Sequence, residues 1–161
     1  MKTLILIRHG KSSWTTFSTD KERLLLNRGV VDIKNVAAAI ISELPKEISI
    51  WSSNAKRALT TSVLFAEKIG FQVERIIFRD DLYTFDNIEL ENIIKTCDDA
   101  VKNLIIFGHN NAITDFVNKF GDFFIENVPT AGLVVIEFET DFWRNIIKGE
   151  IKKVILPKEI R

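Results

Sequence analysis

Apolar residues recur along this chain in two alternating rhythms. Short apolar runs at residues 3–7, 48–51, 73–78, 104–107, 133–138 and 151–156 have the length of strands. Between them the spacing is helical. Val30, Ile33, Val36, Ala37, Ile40, Ile41 and Leu44 fall on one helix face, and Pro45 closes that segment. Ser52, Ser53 and Asn54 offer N-cap oxygens to a helix carrying Ala58, Leu59, Val63, Ala66 and Ile69, with Gly70 as its stop. Leu90, Ile93, Ile94 and Cys97 mark a third helix, which Asp86 and Glu89 can open as a capping box. Ile113, Phe116, Val117 and Phe120 mark a fourth. Lys152 and Lys153 interrupt the last apolar run, which places that strand toward an edge.

Strands alternating with helices of this length predict a three-layer α/β/α sandwich around a largely parallel sheet, because parallel neighbours need long crossovers. Ligands of such sheets bind outside the carboxyl ends of the strands. His9, Ser52, Ser53 and His109 all stand at predicted strand ends and are expected on one edge of the sheet. Residues 1–161 are expected to form a single domain with no repeat or linker. The 161 residues are 46% hydrophobic, enough for one core.

Charge narrows the choice of partner. Lys plus Arg and Asp plus Glu each number 22, so no basic excess favours nucleic acid or an anionic membrane. One cysteine, Cys97, excludes an internal disulfide and is expected in the core. Arg8 and His9 end the first apolar run well short of a signal-peptide core, and no stretch is long enough for a membrane span. A cytoplasmic location is expected.

The chain holds only two histidines, and each follows an apolar strand: Arg8-His9-Gly10 and Gly108-His109-Asn110. A metal centre is a weak reading of this pair, because without a second cysteine carboxylates must complete the ligand set. A neutral, oriented imidazole is also a nucleophile for phosphorus, provided cations surround the non-bridging oxygens. Arg8 supplies one guanidinium, and Arg57, early in the second helix, can supply another whose fork matches phosphate. His109 adds a third positive group if protonated.

These residues carry a family resemblance. The opening Leu4-Ile5-Leu6-Ile7-Arg8-His9-Gly10-Lys11-Ser12-Ser13-Trp14 resembles that of the histidine phosphatase, phosphoglycerate-mutase-like superfamily, and most of all its compact SixA-type phosphohistidine phosphatases. Further segments agree in order: Arg23 through Arg28-Gly29, Ser52-Ser53-Asn54-Ala55-Lys56-Arg57-Ala58 with Thr60-Thr61, Asp81-Leu82-Tyr83, Gly108-His109-Asn110 and Val128-Pro129-Thr130-Ala131-Gly132. The resemblance implies that His9 accepts the phosphoryl group, that Arg8, Arg57 and His109 surround it, and that water then hydrolyses the phosphohistidine. Ser12 is implied as a further phosphate donor. No metal or organic cofactor is implied.

Two positions depart from the family pattern. Asn54 replaces a usual proline, which bears only on the helix start. Thr84 stands where relatives often carry a glutamate that protonates the leaving oxygen, and Asp81, Asp86 and Glu89 lie nearby. The general acid is therefore unassigned. An alkyl phosphate needs such an acid, which typically contributes ~10²- to 10⁴-fold, whereas a protonated phosphoimidazole leaves as neutral imidazole. The short interval between Arg57 and His109 leaves little room for a cap over the pocket. The sequence thus favours a phosphohistidine on a protein as substrate; a small phosphorylated molecule, or phosphate binding without turnover, are the alternatives.

Overall fold

Successive side chains of a strand point to opposite faces, and the first strand fills a core on each side. In β1 (Lys2–Arg8), Leu4 and Leu6 enter one cluster while Ile5 and Ile7 enter the other. The computed structural model describes residues 1–15 and 19–161. It contains β2 (Ser49–Ser53), β3 (Ile77–Arg79), β4 (Asn103–Gly108), β5 (Leu133–Phe138) and β6 (Glu150–Ile155) in one sheet of order β3-β2-β4-β1-β5-β6. The first four strands run parallel, and β5 and β6 add on as an antiparallel flank. As the interrupted pattern predicts, β6 is an edge strand.

Helices cover both faces. α1 (Asn27–Ile40) and α2 (Lys56–Ile69) bring Ile33, Val36, Ala37, Phe65 and Ala66 onto Ile5, Ile7, Ile105 and Phe107. On the opposite face α3 (Asn87–Lys95) and α4 (Ala112–Phe120) bring Leu90, Ile94, Ile113, Phe116 and Val117 onto Leu4, Leu6, Leu104 and Ile106. Each fully buried Leu, Ile, Val or Phe stabilises the fold by about 1.5–3 kcal/mol, before the entropy of ordering it. Cys97 belongs to the second cluster, where burial pushes its thiol up to about 11 and leaves it inert.

Several local expectations are corrected. Residues 73–78 do not form one strand: Val73–Arg75 is a 3₁₀ turn, and β3 is three residues long. It pairs only with Trp51, Ser52 and Ser53 at the sheet edge, so Ile77 and Phe78 stay exposed and reward no longer pairing. α1 starts at Asn27, earlier than its apolar stripe, and gives way to a 3₁₀ turn at Ile41–Glu43. Leu44 is then extended, as steric conflict with Pro45 requires. Ala55, not a Ser or Asn, is the N-cap of α2, and Ser53 Oγ instead accepts the Ala55 amide at 3.2 Å. Half of the capping box forms on α3. Asp86 accepts the Ile88 amide at 2.9 Å, but the Asp86 amide donates to Thr84 Oγ1 at 3.2 Å rather than to Glu89.

The start of α1 packs closely against the turn after β1. Gly29 lies so close to that turn that a Cβ on it would meet the Lys11 carbonyl oxygen at 2.4 Å and the Lys11 nitrogen at 2.8 Å. A Cβ on Gly10 would meet the Gly29 oxygen at 3.0 Å. The two glycines let the helix start seat the turn that carries His9, helped by the Leu26 amide donating to the Lys11 carbonyl at 2.9 Å. Gly29→Ala is expected to cost about 1–3 kcal/mol by forcing backbone against backbone. Urea denaturation checks this, and an unchanged midpoint would show that the turn can yield freely.

Candidate active site

Parallel pairing in register delivers the two histidines to one place. Arg8 of β1 stands opposite Gly108 of β4, and the His9 amide donates to the Gly108 carbonyl at 3.1 Å. The next residue on each strand is a histidine, and the two rings lie 5.3 Å apart between centroids. The turn after β1 is held from a third direction by Ala131, whose amide donates to the carbonyls of Arg8 (3.0 Å) and His9 (2.9 Å). Ala131 sits at φ 60°, a left-handed conformation that costs an alanine roughly 1 kcal/mol and is tolerated here for those two contacts.

The His9 ring is oriented. Its Nδ1 lies 2.7 Å from the Gly10 carbonyl oxygen, an atom that only accepts, so Nδ1 carries the proton and Nε2 keeps its lone pair. Arg57 Nε donates to that Nε2 at 3.3 Å. α2 places Arg57 in its first turn, and Thr61 ties this turn to the signature loop: its hydroxyl donates to the Arg57 carbonyl (2.6 Å) and accepts the Gly10 amide (3.0 Å). His109 Nε2 is 2.8 Å from Ser53 Oγ. Ser52 and Ser53 are fully buried and therefore support the site from behind rather than line it.

Arg8, His9, Ser12, Arg57 and His109, the five residues singled out from the sequence, line one cavity of about 480 Å³. Lys11, Trp14, Asp20, Arg23, Phe85, Asn110, Thr130 and Arg161 complete it. Among the described residues, five cationic side chains thus line the cavity with a single carboxylate, although the whole chain carries no net charge. Thr84 is absent from the lining: its side chain is 6% exposed and turned to the Asp86 amide. Asp81 is held by Arg79, and Asp86 caps α3.

Asp20 was not legible as a site residue, since only its place three residues before Arg23 sets it apart. It nevertheless collects the cations. Arg57 Nη1 donates to its backbone carbonyl (2.6 Å) and Nη2 to Oδ2 (3.0 Å), Arg23 Nε donates to Oδ1 (3.1 Å), and the Tyr83 hydroxyl donates to Oδ2. Arg23 in turn donates to Ser12 Oγ at 2.7 Å and lies 3.5 Å over the Trp14 ring. Arg161, equally unforeseen, is fixed by a bidentate pair with buried Asp32 at 3.1 and 2.9 Å.

Electrostatics in the cavity disfavour further positive charge. Burial, then the Arg57 charge, works against the charge of Arg8. Arg8 Nε and His109 Nδ1 are buried without a hydrogen-bond partner among the described residues. Desolvation brings His9 down to about 3, opposed by the Gly10 contact and reinforced by the neighbouring arginines. His109 falls to about 3 through desolvation and its proximity to His9 and Arg57. The condition on which His109 would add a third positive group, its protonation, is thus disfavoured by burial and by the neighbouring His9 and Arg57.

The strand ends of a largely parallel sheet thus gather two histidines beside the buried guanidinium groups of Arg23 and Arg57. The model of the histidine phosphatase superfamily (branch 1) matches residues 4–100, and the chain belongs to that family. A search of curated protein sequences returned no match. Among solved structures, the protein histidine phosphatase SixA complexed with tungstate superposes with a TM-score of 0.83 at 13% identity, covering 99% of each chain. A protein assigned as SixA in Agrobacterium tumefaciens gives 0.79 at 19% identity, covering 97% of this chain and 98% of its own. A mycobacterial glucosyl-3-phosphoglycerate phosphatase gives 0.69 at 12% identity, covering 95% and 98%. At these identities the superpositions establish the shared phosphoglycerate-mutase-like fold.

The depressed histidines have a measurable consequence. Between about pH 6.5 and 3 the unfolded chain binds protons that the folded chain refuses at His9 and His109, so stability is present above 6.5 and falls as the pH falls. The slope is about 1.4 kcal/mol per pH unit for each fully linked histidine. Urea midpoints are expected to drop from pH 7 to pH 4.5, with both imidazole proton shifts flat between pH 8 and 5. A ring that titrates near pH 6.5 in the phosphate-free protein would contradict this account.

Proposed function

We propose that this chain is a phosphatase that takes a phosphoryl group from phosphohistidine onto His9 Nε2 and then transfers it to water. The observation that carries this reading is the orientation of His9. With Nδ1 held on the Gly10 carbonyl, Nε2 keeps its lone pair, and in this structure that lone pair accepts from the buried Arg57 Nε at 3.3 Å. A phosphoryl oxygen at that position takes up donors that the free site leaves unused, Arg8 Nε above all. It also relieves the crowding of Arg8 against Arg57, so the groups that bind the anion stabilise its transition state more than water does.

In the first half-reaction Nε2 attacks phosphorus in line, the P–N bond of a phosphoimidazole protonated on its other ring nitrogen breaks, and its electron pair stays with the imidazole, which departs as a neutral ring without further proton transfer. The lack of a carboxylate at Thr84 supports this substrate over an alkyl phosphate. So does the open mouth. The chain between Arg57 and His109 is used up by α2, β3 and α3, and Trp14 and Phe85 stand 78% and 51% exposed at the rim. A side chain presented on another protein has access there, with flat aromatic surfaces to meet it. The chain is thus read as one catalytic domain that acts without a metal or organic cofactor. No helix among the described residues is long and apolar enough to cross a membrane.

The test is a panel of phosphohistidine peptide, sugar phosphates and an aryl phosphate, with the enzyme quenched during turnover. Acid-labile, base-stable label is expected on His9, absent in His9→Ala, with kcat/KM highest for the peptide. Label on a serine or aspartate overturns the mechanism, and preference for a sugar phosphate overturns the substrate. Arg57→Ala is expected to lower phosphate affinity about 10- to 100-fold, from a charge-assisted contact of about 1.5–3 kcal/mol, and turnover at least as much. Unchanged kinetics in that variant would remove Arg57 from the proposed anion site.

A further inference from the structure

A single phosphoryl dianion does not use all the positive charge around this cavity. Arg8 and Arg57 stand beside His9, and Arg23 is occupied by Asp20 and Ser12. Lys11 and Arg161 line the same cavity, yet neither side chain hydrogen-bonds to another lining residue among the described residues. We propose that Lys11 and Arg161 form a second anion subsite, which takes a carboxylate of the substrate protein next to its phosphohistidine. The proposal rests on the phosphohistidine reading above and adds the sequence context that the site selects.

Arg161 is anchored in this position rather than left loose. Its Nε and Nη2 donate to the two oxygens of Asp32 at 3.1 and 2.9 Å, and the Asp32 side chain, on α1, is 2% exposed. A guanidinium has further donors beyond that edge. With Nε and Nη2 committed to Asp32, Nη1 has no partner among the described residues, and the side chain as a whole is 43% exposed. Arg28 Nη1 approaches Asp32 Oδ1 at 3.8 Å, so two guanidinium groups share one carboxylate and the cluster stays positive. A side chain ordered in advance loses little rotamer freedom when a ligand arrives, which is where an exposed arginine otherwise forfeits affinity.

Lys11 reaches the same wall by a different route. Its carbonyl accepts the Leu26 amide at 2.9 Å, and its backbone lies against Gly29. Gly29 and Asp32 are three residues apart on α1 and share a helix face. Lys11 and Arg161 are therefore seated on neighbouring turns of one helix and border one cavity. The Lys11 side chain is exposed, and no carboxylate among the described residues pairs with it. One fork and one ammonium suit the two oxygens of a carboxylate. An acidic residue that travels on the same chain as the phosphohistidine is held close to them once the phosphoryl group is seated on His9.

The test uses phosphohistidine peptides in which one Glu is stepped through the four positions on either side of the phosphohistidine, each paired with its Gln counterpart. At low ionic strength kcat/KM is expected to be about 3- to 10-fold higher for Glu than for Gln at one or two positions, the scale of two partly exposed charge contacts, and to lose this preference as salt is added. The ratio within each pair cancels losses common to both peptides, so it separates recognition from damage to the fold. Lys11→Glu is expected to reverse the preference, and Arg161→Gln to bring the ratio close to one. Arg161→Lys, which keeps the charge without the fork, is expected to hold part of the preference even if the Gln variant, by stripping Asp32 of a partner, folds poorly. Equal kcat/KM within every pair, or a preference that survives in Lys11→Glu and in the Arg161 variants undiminished, overturns the subsite and leaves the phosphohistidine reading standing. Failure of the wild-type chain to turn over any of these peptides overturns that reading and the subsite together.

Discussion

The site depends on the register between β1 and β4. In a parallel pair each strand advances in the same direction at nearly the same rise, so residues that follow matched positions emerge side by side. Arg8 is matched with Gly108, and His9 and His109 therefore leave the sheet together. A slip of one residue would turn Ile5 and Ile7 into the opposite cluster as well as separate the rings. The hydrophobic division between the two faces thus protects the geometry of the polar edge. Burial of Leu4, Ile5, Leu6 and Ile7 is structural, but it is also what keeps two imidazoles 5.3 Å apart.

A second constraint is the energetic cost of burying cationic side chains around the cavity. Taking a guanidinium out of water costs several kcal/mol unless charge and hydrogen bonds compensate, and Arg57 is 1% exposed. The free protein compensates through Asp20, which offers both its backbone carbonyl and its carboxylate. Arg8 receives less: Nη1 donates to the Val128 carbonyl at 3.1 Å, but Nε has no partner among the described residues. The histidines respond by refusing protons.

Much of this was legible from the chain alone. Five of the six strands, all four helices and the edge position of β6 follow from apolar periodicity, because burying one face of each element is a local demand that leaves a local pattern. The positions of Arg8, His9, Ser12, Arg57 and His109 follow from strand ends and a family motif. Caps and short edge elements were less legible. The Asp86 amide went to Thr84 instead of Glu89, and residues 73–78 split into a 3₁₀ turn and three strand residues, because single hydrogen bonds and edge pairing are decided by competition among near-equal options.

The sequence by itself determined the layered α/β architecture and which side chains have the chemistry to act on phosphate. Tertiary structure alone decided the charge on those side chains and the company they keep. His109 is neutral because the fold buries it next to His9 and Arg57, and no local pattern encodes that desolvation. Asp20 belongs to the site because a loop brings it to Arg57, 37 residues away, and Arg161 because Asp32 anchors it across 129 residues. Periodicity reports what a residue does for its own helix or strand; contacts between distant loops answer to the packing of the whole chain and leave no such trace.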